Sequence, residues 1–216
     1  MGCACSRDGS DYEDKLLEAE DLLPYGSFDT RHIWNLHVKL AKKDHSFSSE
    51  KWSKLFKEIN CKYPERCERF FDSFKSADET YPVRPLTVLA IMKSNGSPHE
   101  KCELIFGLFD TDGSKTIDKT VLQDLITMMF ELSVDKLPLL CSSMQPDSDI
   151  FNYITGLKEN KPKTIIEVTK KFLKSSGKSI TDAEFQTFMC SEENQSLLTF
   201  TGIRKKIQQT GLSKMT

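Results

Sequence analysis

Apolar residues recur at three- and four-residue intervals along much of the chain, the period of a helix with one face in a core. Trp52, Leu55, Phe56 and Ile59 stand at i, i+3, i+4 and i+7. Cys67, Phe70, Phe71 and Phe74 repeat that spacing, as do Cys102, Ile105, Phe106 and Phe109, and then Leu122, Leu125, Ile126 and Met129. A sparser set follows, Ile165, Val168 and Phe172, then Phe185, Phe188 and Met189. Six Val against 22 Leu and 14 Phe favour helix over strand, since β-branched residues are the usual strand material. The pattern predicts an all-α protein in which amphipathic helices alternate with short polar loops.

Breaks in the pattern divide the chain. Residues 1–27 read as a tail with a short acidic helix over 12–22, closed by the turn Pro24-Tyr25-Gly26-Ser27. Residues 28–96 form a first lobe ending at Asn95-Gly96, a helix-stop signal. Ser97-Pro98-His99-Glu100 then opens a second lobe, 97–191, with a capping box and proline at the first helical position. Within it, residues 135–163 contain Pro138, Pro146 and Pro162 and read as a linker with a short helix near 150–157. Residues 192–216 hold a C-terminal helix and tail.

One loop carries chemistry. In Asp110-Thr111-Asp112-Gly113-Ser114-Lys115-Thr116-Ile117-Asp118, oxygen donors alternate as a hard cation such as Ca²⁺ requires. With Asp110 as position 1 of a 12-residue EF-hand loop, Asp112 is position 3, Ser114 position 5, the Thr116 carbonyl position 7 and Asp118 position 9. Two residues depart from the pattern. Lys115 replaces the glycine of the sharp turn, and Val121 replaces the bidentate glutamate at position 12. The loss of ligands and charge predicts an affinity no better than about 10⁻⁴ M, with Mg²⁺ an alternative occupant. The competing reading is a structural loop in which Asp118 caps the exiting helix and Asp110 binds only water.

The same register locates three further loops: 40–51, with Leu40 and Lys51 at its ends, 75–86, with Lys75 and Leu86, and 173–184, with Leu173 and Glu184. None has the chemistry for an ion, and Glu184 fits a Thr181-x-x-Glu184 capping box better than a ligand set. The two lobes are therefore expected to be pairs of EF-hands, four helix-loop-helix units in all.

The net charge of −2, from 30 basic and 32 acidic residues, gives no case for nucleic-acid binding. Seven cysteines, an odd number without metal-ligand spacing, suit a reduced cytosolic protein, with Cys67 and Cys102 as small buried hydrophobes. Met1-Gly2-Cys3-Ala4-Cys5-Ser6 fits N-myristoylation at Gly2, and the alternative is a chance unmodified tail. One acyl chain anchors only marginally, and the acidic residues of 8–22 exclude a polybasic second signal. Palmitoylation of Cys3 and Cys5 would supply the missing hydrocarbon. The four histidines fall in no nucleophile or zinc motif and no phosphate loop is present, so an enzyme is not expected.

Four hands behind an acylatable Gly2 resemble the recoverin-like neuronal calcium sensor family, with calcineurin B a more distant relative. The resemblance covers roughly residues 28–208. It is most specific from Glu100-Lys101-Cys102 through Phe109-Asp110, in Leu125-Ile126-Thr127-Met128-Met129-Phe130, and from Ala183-Glu184-Phe185 through Leu197-Leu198-Thr199-Phe200. It implies a hydrophobic groove that binds a helical segment of a target protein, with the last helix near it. It also implies that Asp110, Asp112, Ser114, Thr116 and Asp118 are the metal positions. Phe70, Phe71, Phe74, Trp34, Trp52 and Met92 would line that groove or, more plainly, form the first lobe's core. The expected function is a regulator or adaptor tethered at the cytoplasmic face of a membrane. The alternative is a Ca²⁺-independent scaffold, for example cytoskeletal or flagellar.

Overall fold

A computed structural model describes residues 10–41, 45–142, 148–175 and 179–212. Helix α1 (Ser10–Glu20) and a single 3₁₀ turn (Pro24–Ser27) lead into α2 (Thr30–Ala41). Strand β1 (Ser46–Phe47) and α3 (Ser49–Glu58) complete the first helix-loop-helix unit. The second is α4 (Pro64–Asp72), β2 (Tyr81–Pro82) and α5 (Val83–Lys93). The third is α6 (Pro98–Phe109), β3 (Thr116–Asp118) and α7 (Lys119–Glu131). A π-helical segment (Leu132–Lys136) and α8 (Pro138–Ser142) precede the fourth unit, α9 (Ser148–Ser175), β4 (Ser179–Thr181) and α10 (Asp182–Met189). A 3₁₀ turn (Gln195–Leu198) and α11 (Phe200–Leu212) close the described chain. The fold is all-α, 75% helical among the described residues, as the periodicity predicts.

Local chemistry sets the helix starts. The side chains of Ser48, Ser97, Asp118 and Thr181 each accept a hydrogen bond from the backbone N–H three residues on, satisfying a donor that the first turn leaves open. The loops pair in twos by short antiparallel strands. Phe47 lies opposite Tyr81 and Ile117 opposite Ile180. These four side chains point into the core, each 6% exposed or less. At the boundary between the pairs, Asp29 bridges to Asn95, and a Cβ on Gly96 would lie 2.1 Å from Thr30 Oγ1, so only glycine allows that approach. Helix α5 packs on α2 on one side and on α6 and α7 on the other, making one continuous core. Phe70, Phe71, Phe74, Trp52 and Met92 are buried in it, with Trp34 half-buried against it. That is the plainer of the two readings of these residues.

Two expectations are corrected. Much of the segment read as linker is helical: α7 runs through the π turn, where Leu137 N donates to Leu132 O at 3.0 Å, into α8, and α9 then carries 28 residues with Pro162 inside it. Pro138 sits at the start of α8, where its missing N–H costs nothing. An interior proline costs about 3 kcal/mol. Leu157, Ile165 and Val168, each 8% exposed or less, flank Pro162, and burying one such side chain contributes about 1.5–3 kcal/mol. Packing of α9 on α7 and α11 therefore outweighs the break.

The second loop is also one residue earlier than its spacing suggests. Tyr81 pairs with Phe47, which is position 8 of loop 40–51, and Pro82 occupies the N-cap place that Asp118 holds in loop 110–121. The loop is thus 74–85, with Phe74 first and Pro85 twelfth. Glu79 becomes its sixth residue, and its φ of 61° matches the 58° of Lys115.

A candidate divalent-cation loop

Loop 110–121 is held from both ends. Asp110 caps the C-terminus of α6, its N–H donating to Phe106 O, and Asp118 caps the N-terminus of α7, its Oδ1 accepting from Val121 N at 2.9 Å. Between them the chain turns through left-handed conformations at Gly113 (φ 71°) and Lys115 (φ 58°). Lysine there is strained relative to glycine, and backbone hydrogen bonds hold it: Lys115 N donates to Asp110 Oδ2 at 3.0 Å and Asp182 N donates to Lys115 O at 3.2 Å. Ser114 is the hub of the turn. Its N–H donates to Asp112 Oδ1 at 3.0 Å, and its hydroxyl lies 3.1 Å from Thr116 O and 3.4 Å from Asp110 Oδ1. The Ser114 hydroxyl and backbone N–H hold the Asp112 carboxyl below its ordinary range.

The structure thus gathers Asp110, Asp112, Ser114 and Thr116 around one turn and directs Asp118 to the helix start. Val121, the twelfth residue, is half-buried and packs against the core. Among the described residues, no group of three or more His, Cys, Asp and Glu side chains converges as a metal cage. Two carboxylates, one hydroxyl and one carbonyl fall short of the six to eight oxygens Ca²⁺ takes, so this donor set fits only an ion that keeps much of its water.

Two of the other loops turn described polar groups inward on themselves. Glu184 accepts from Thr181 N and Thr181 Oγ1, both at 2.8 Å, and Thr181 Oγ1 accepts from Glu184 N at 3.2 Å, the expected capping box. These contacts, the backbone N–H first, pull the Glu184 carboxyl below its ordinary range. In loop 74–85 the Ser76 hydroxyl bonds Asp78 and Thr80, and Lys75 pairs with Glu79. Gly2, Cys3 and Cys5 lie outside the described residues. A cavity of about 660 Å³ between residues 21–28, 59–63 and 93–95 shares no lining residue with the candidate loop.

A second polar centre lies away from the loops, between α1 and α11. Arg204 of α11, with no exposed side-chain surface, meets two carboxylates of α1. Its Nε lies 2.9 Å and 3.0 Å from the two Glu13 oxygens, and its Nη2 lies 2.8 Å from Glu13 Oε2 and 2.7 Å from Glu20 Oε1. A sequence signal exists: Glu13, Leu16, Glu20 and Leu23 share one helical stripe, and Arg204 interrupts the apolar set Phe200, Ile203 and Ile207.

No protein-family model matches the chain. Over 82 residues it is 32% identical to S-modulin of Aquarana catesbeiana, a stretch covering 38% of this chain and 40% of that protein. The matched region is thus less than half the relative's length. It supports a relationship to the EF-hand calcium sensors.

Proposed function

We propose that this protein is a calcium-sensor-like adaptor, tethered to a membrane by acylation at Gly2, Cys3 and Cys5, that binds a helical segment of a target protein. The likeness to S-modulin supports a regulatory rather than enzymatic role. The observation that carries the reading is the contrast between frame and donors. Both loop pairs keep their strands and apolar anchors, yet only loop 110–121 has a carboxylate at its first position; the others begin with Leu40, Phe74 and Leu173. Asp110, Asp112, Ser114 and the Thr116 carbonyl would hold Ca²⁺ or Mg²⁺ with water filling the remaining positions, and Asp118 would act through water or remain a cap. A single weak site supplies little differential binding energy to shift a conformational equilibrium. A second reading, a Ca²⁺-independent scaffold, is favoured by Val121 packed against the core and by Glu184 closed on Thr181.

Calorimetric Ca²⁺ titration at physiological Mg²⁺, beside Asp110→Ala, separates these readings. Binding near or weaker than about 10⁻⁴ M that Asp110→Ala abolishes is the expected result. Micromolar binding would make the chain a full sensor, and no heat into the millimolar range would leave the scaffold. The tether is tested by membrane fractionation of Gly2→Ala, which is expected to move to the soluble fraction.

A further inference from the structure

Helix α1 carries two of its five carboxylates, Glu13 and Glu20, on its buried face rather than in solvent. Glu13, Leu16, Ala19 and Glu20 are all buried, 6% exposed or less, and the stripe continues to Leu23. Asp11, Asp14, Lys15, Leu17 and Glu18 face outward. The buried stripe lies on α8 and reaches Arg204 of α11, whose guanidinium also points one nitrogen at Ser133 O (3.4 Å) in the π turn and one at Thr201 Oγ1 (3.3 Å). Tyr153 of α9 donates its hydroxyl to Glu13 and accepts from Gln208 Nε2 at 2.9 Å, and its ring stacks on Tyr12 with centroids 5.6 Å apart. The seat of α1 therefore has an apolar floor, a buried guanidinium and a tyrosine hydroxyl, all arranged around two carboxylates seven residues apart.

Such a seat is costly as mere glue. One guanidinium faces two carboxylates, and Glu20 Oε1, 2.7 Å from Arg204 Nη2, has no in-line hydrogen bond. Buried ion clusters seldom exceed apolar packing in stability, but they discriminate strongly between a ligand with the matching charge and one without it. Against this, α1 is only 11 residues long, below the length at which isolated helices hold in water, and has few apolar anchors. The ties around it include the ion pair of Lys93 with Asp21, just past the helix and exposed on the Asp21 side, and the weak thiol contact of Cys141 with Lys15 O.

We propose that this seat, formed by α8, the π turn, α9 and α11, is a receptor site for an acidic amphipathic helix, and that α1 is its intramolecular ligand. The partner it fits is a protein helix with the pattern of α1: a carboxylate, a leucine three residues on, a small residue at six, a second carboxylate at seven and a leucine at ten. A partner of this kind binds by displacing α1, so α1 holds the site closed in its absence. The proposal rests on the helix-binding reading above and names the site and the chemistry of the helix.

The test uses the full chain and a labelled peptide of residues 10–23. Glu13→Gln/Glu20→Gln removes the charge by which α1 holds its seat while keeping its shape. The peptide is expected to bind this double variant at least about tenfold more tightly than the parent, because the cis competitor is weakened. Adding Arg204→Met is expected to remove that binding by at least about tenfold, and a peptide with both Glu changed to Gln to bind neither protein. A double variant that melts cooperatively yet takes no peptide, or binding indifferent to Arg204→Met, overturns the proposal. Should the double variant not fold, hydrogen exchange on the parent decides. Amides of α1 opening at least about tenfold faster than those of α11 support a detachable ligand, and equal rates overturn it. Because the peptide is the chain's own, no external target enters the result. A failed search for targets leaves the seat standing, and a failed peptide experiment leaves helix binding elsewhere on the molecule untouched.

Discussion

In loop 74–85 the sixth residue, Glu79, has φ 61°; in loop 110–121 the sixth residue, Lys115, has φ 58°. Each loop is drawn together by a serine hydroxyl beside a threonine carbonyl, Ser76 with Thr80 O at 2.8 Å and Ser114 with Thr116 O at 3.1 Å. Each enters its strand pair through a buried eighth residue, Tyr81 or Ile117. The first residues differ completely, Phe74 in one and Asp110 in the other. The shared path therefore does not depend on ion-binding carboxylates. Internal hydrogen bonds and the apolar anchor at the eighth position hold it, and donor chemistry is a separate layer on the same frame.

The largest effect should come from breaking that anchor. Tyr81, 6% exposed, stacks on Trp52 with centroids 4.9 Å apart, and Ile117 is 4% exposed. Tyr81→Ala and Ile117→Ala are each expected to cost about 3 kcal/mol by urea denaturation, as large-to-small core changes do. Asp110→Ala, at a partly exposed position, is expected to cost about 1 kcal/mol. An Asp110→Ala cost equal to that of Ile117→Ala would show that the frame does depend on its carboxylate.

The next effect sharpens the difference in donors. Val121→Glu restores the twelfth ligand in a loop that already has Asp110 and Asp112, and should tighten Ca²⁺ binding by at least about tenfold in calorimetry. Pro85→Glu places the same carboxylate in a loop that begins with Phe74, and should produce no binding. Equal gains in both would mean that the frame alone decides affinity.

Most of this architecture is legible because helical period and capping are local. The stripes Trp52 to Ile59, Cys67 to Phe74, Cys102 to Phe109 and Leu122 to Met129 all appear in the structure as buried faces, and Ser97 and Thr181 cap where their spacing says. The candidate loop was legible because alternating oxygens around Gly113 fix its register. The second loop was not, since Tyr81 and Pro82 are both plausible eighth residues and only the partner strand, through Phe47, decides. Helix α9 was obscured because Pro162 is a strong local signal and the packing that overrides it is long-range. The Glu13–Arg204 pair spans 191 positions, and no window along the chain brings those residues together. A carboxylate on a helix reads as solvent-facing until its partner is seen.

The smallest effect concerns charge in the two loops. Asp112 and Asp78 both have carboxyls held below the ordinary 3.8, and in each case a serine hydroxyl, Ser114 or Ser76, is the largest cause. A carboxyl depressed in the folded state contributes stability above its unfolded value and loses that contribution as pH falls through the folded one. Ser114→Ala and Ser76→Ala should therefore each raise the titration of the neighbouring aspartate toward 3.8, read by NMR of the carboxyl carbons. Both loops should respond alike, because the serine-aspartate contact belongs to the frame. Repeating the titration in millimolar Ca²⁺ separates them. Asp112 should fall further as the cation favours its charged form, while Asp78 stays where it was. If Asp78 moved as well, loop 74–85 would be a cation site despite Phe74, and the division between frame and donors would fail at its simplest point.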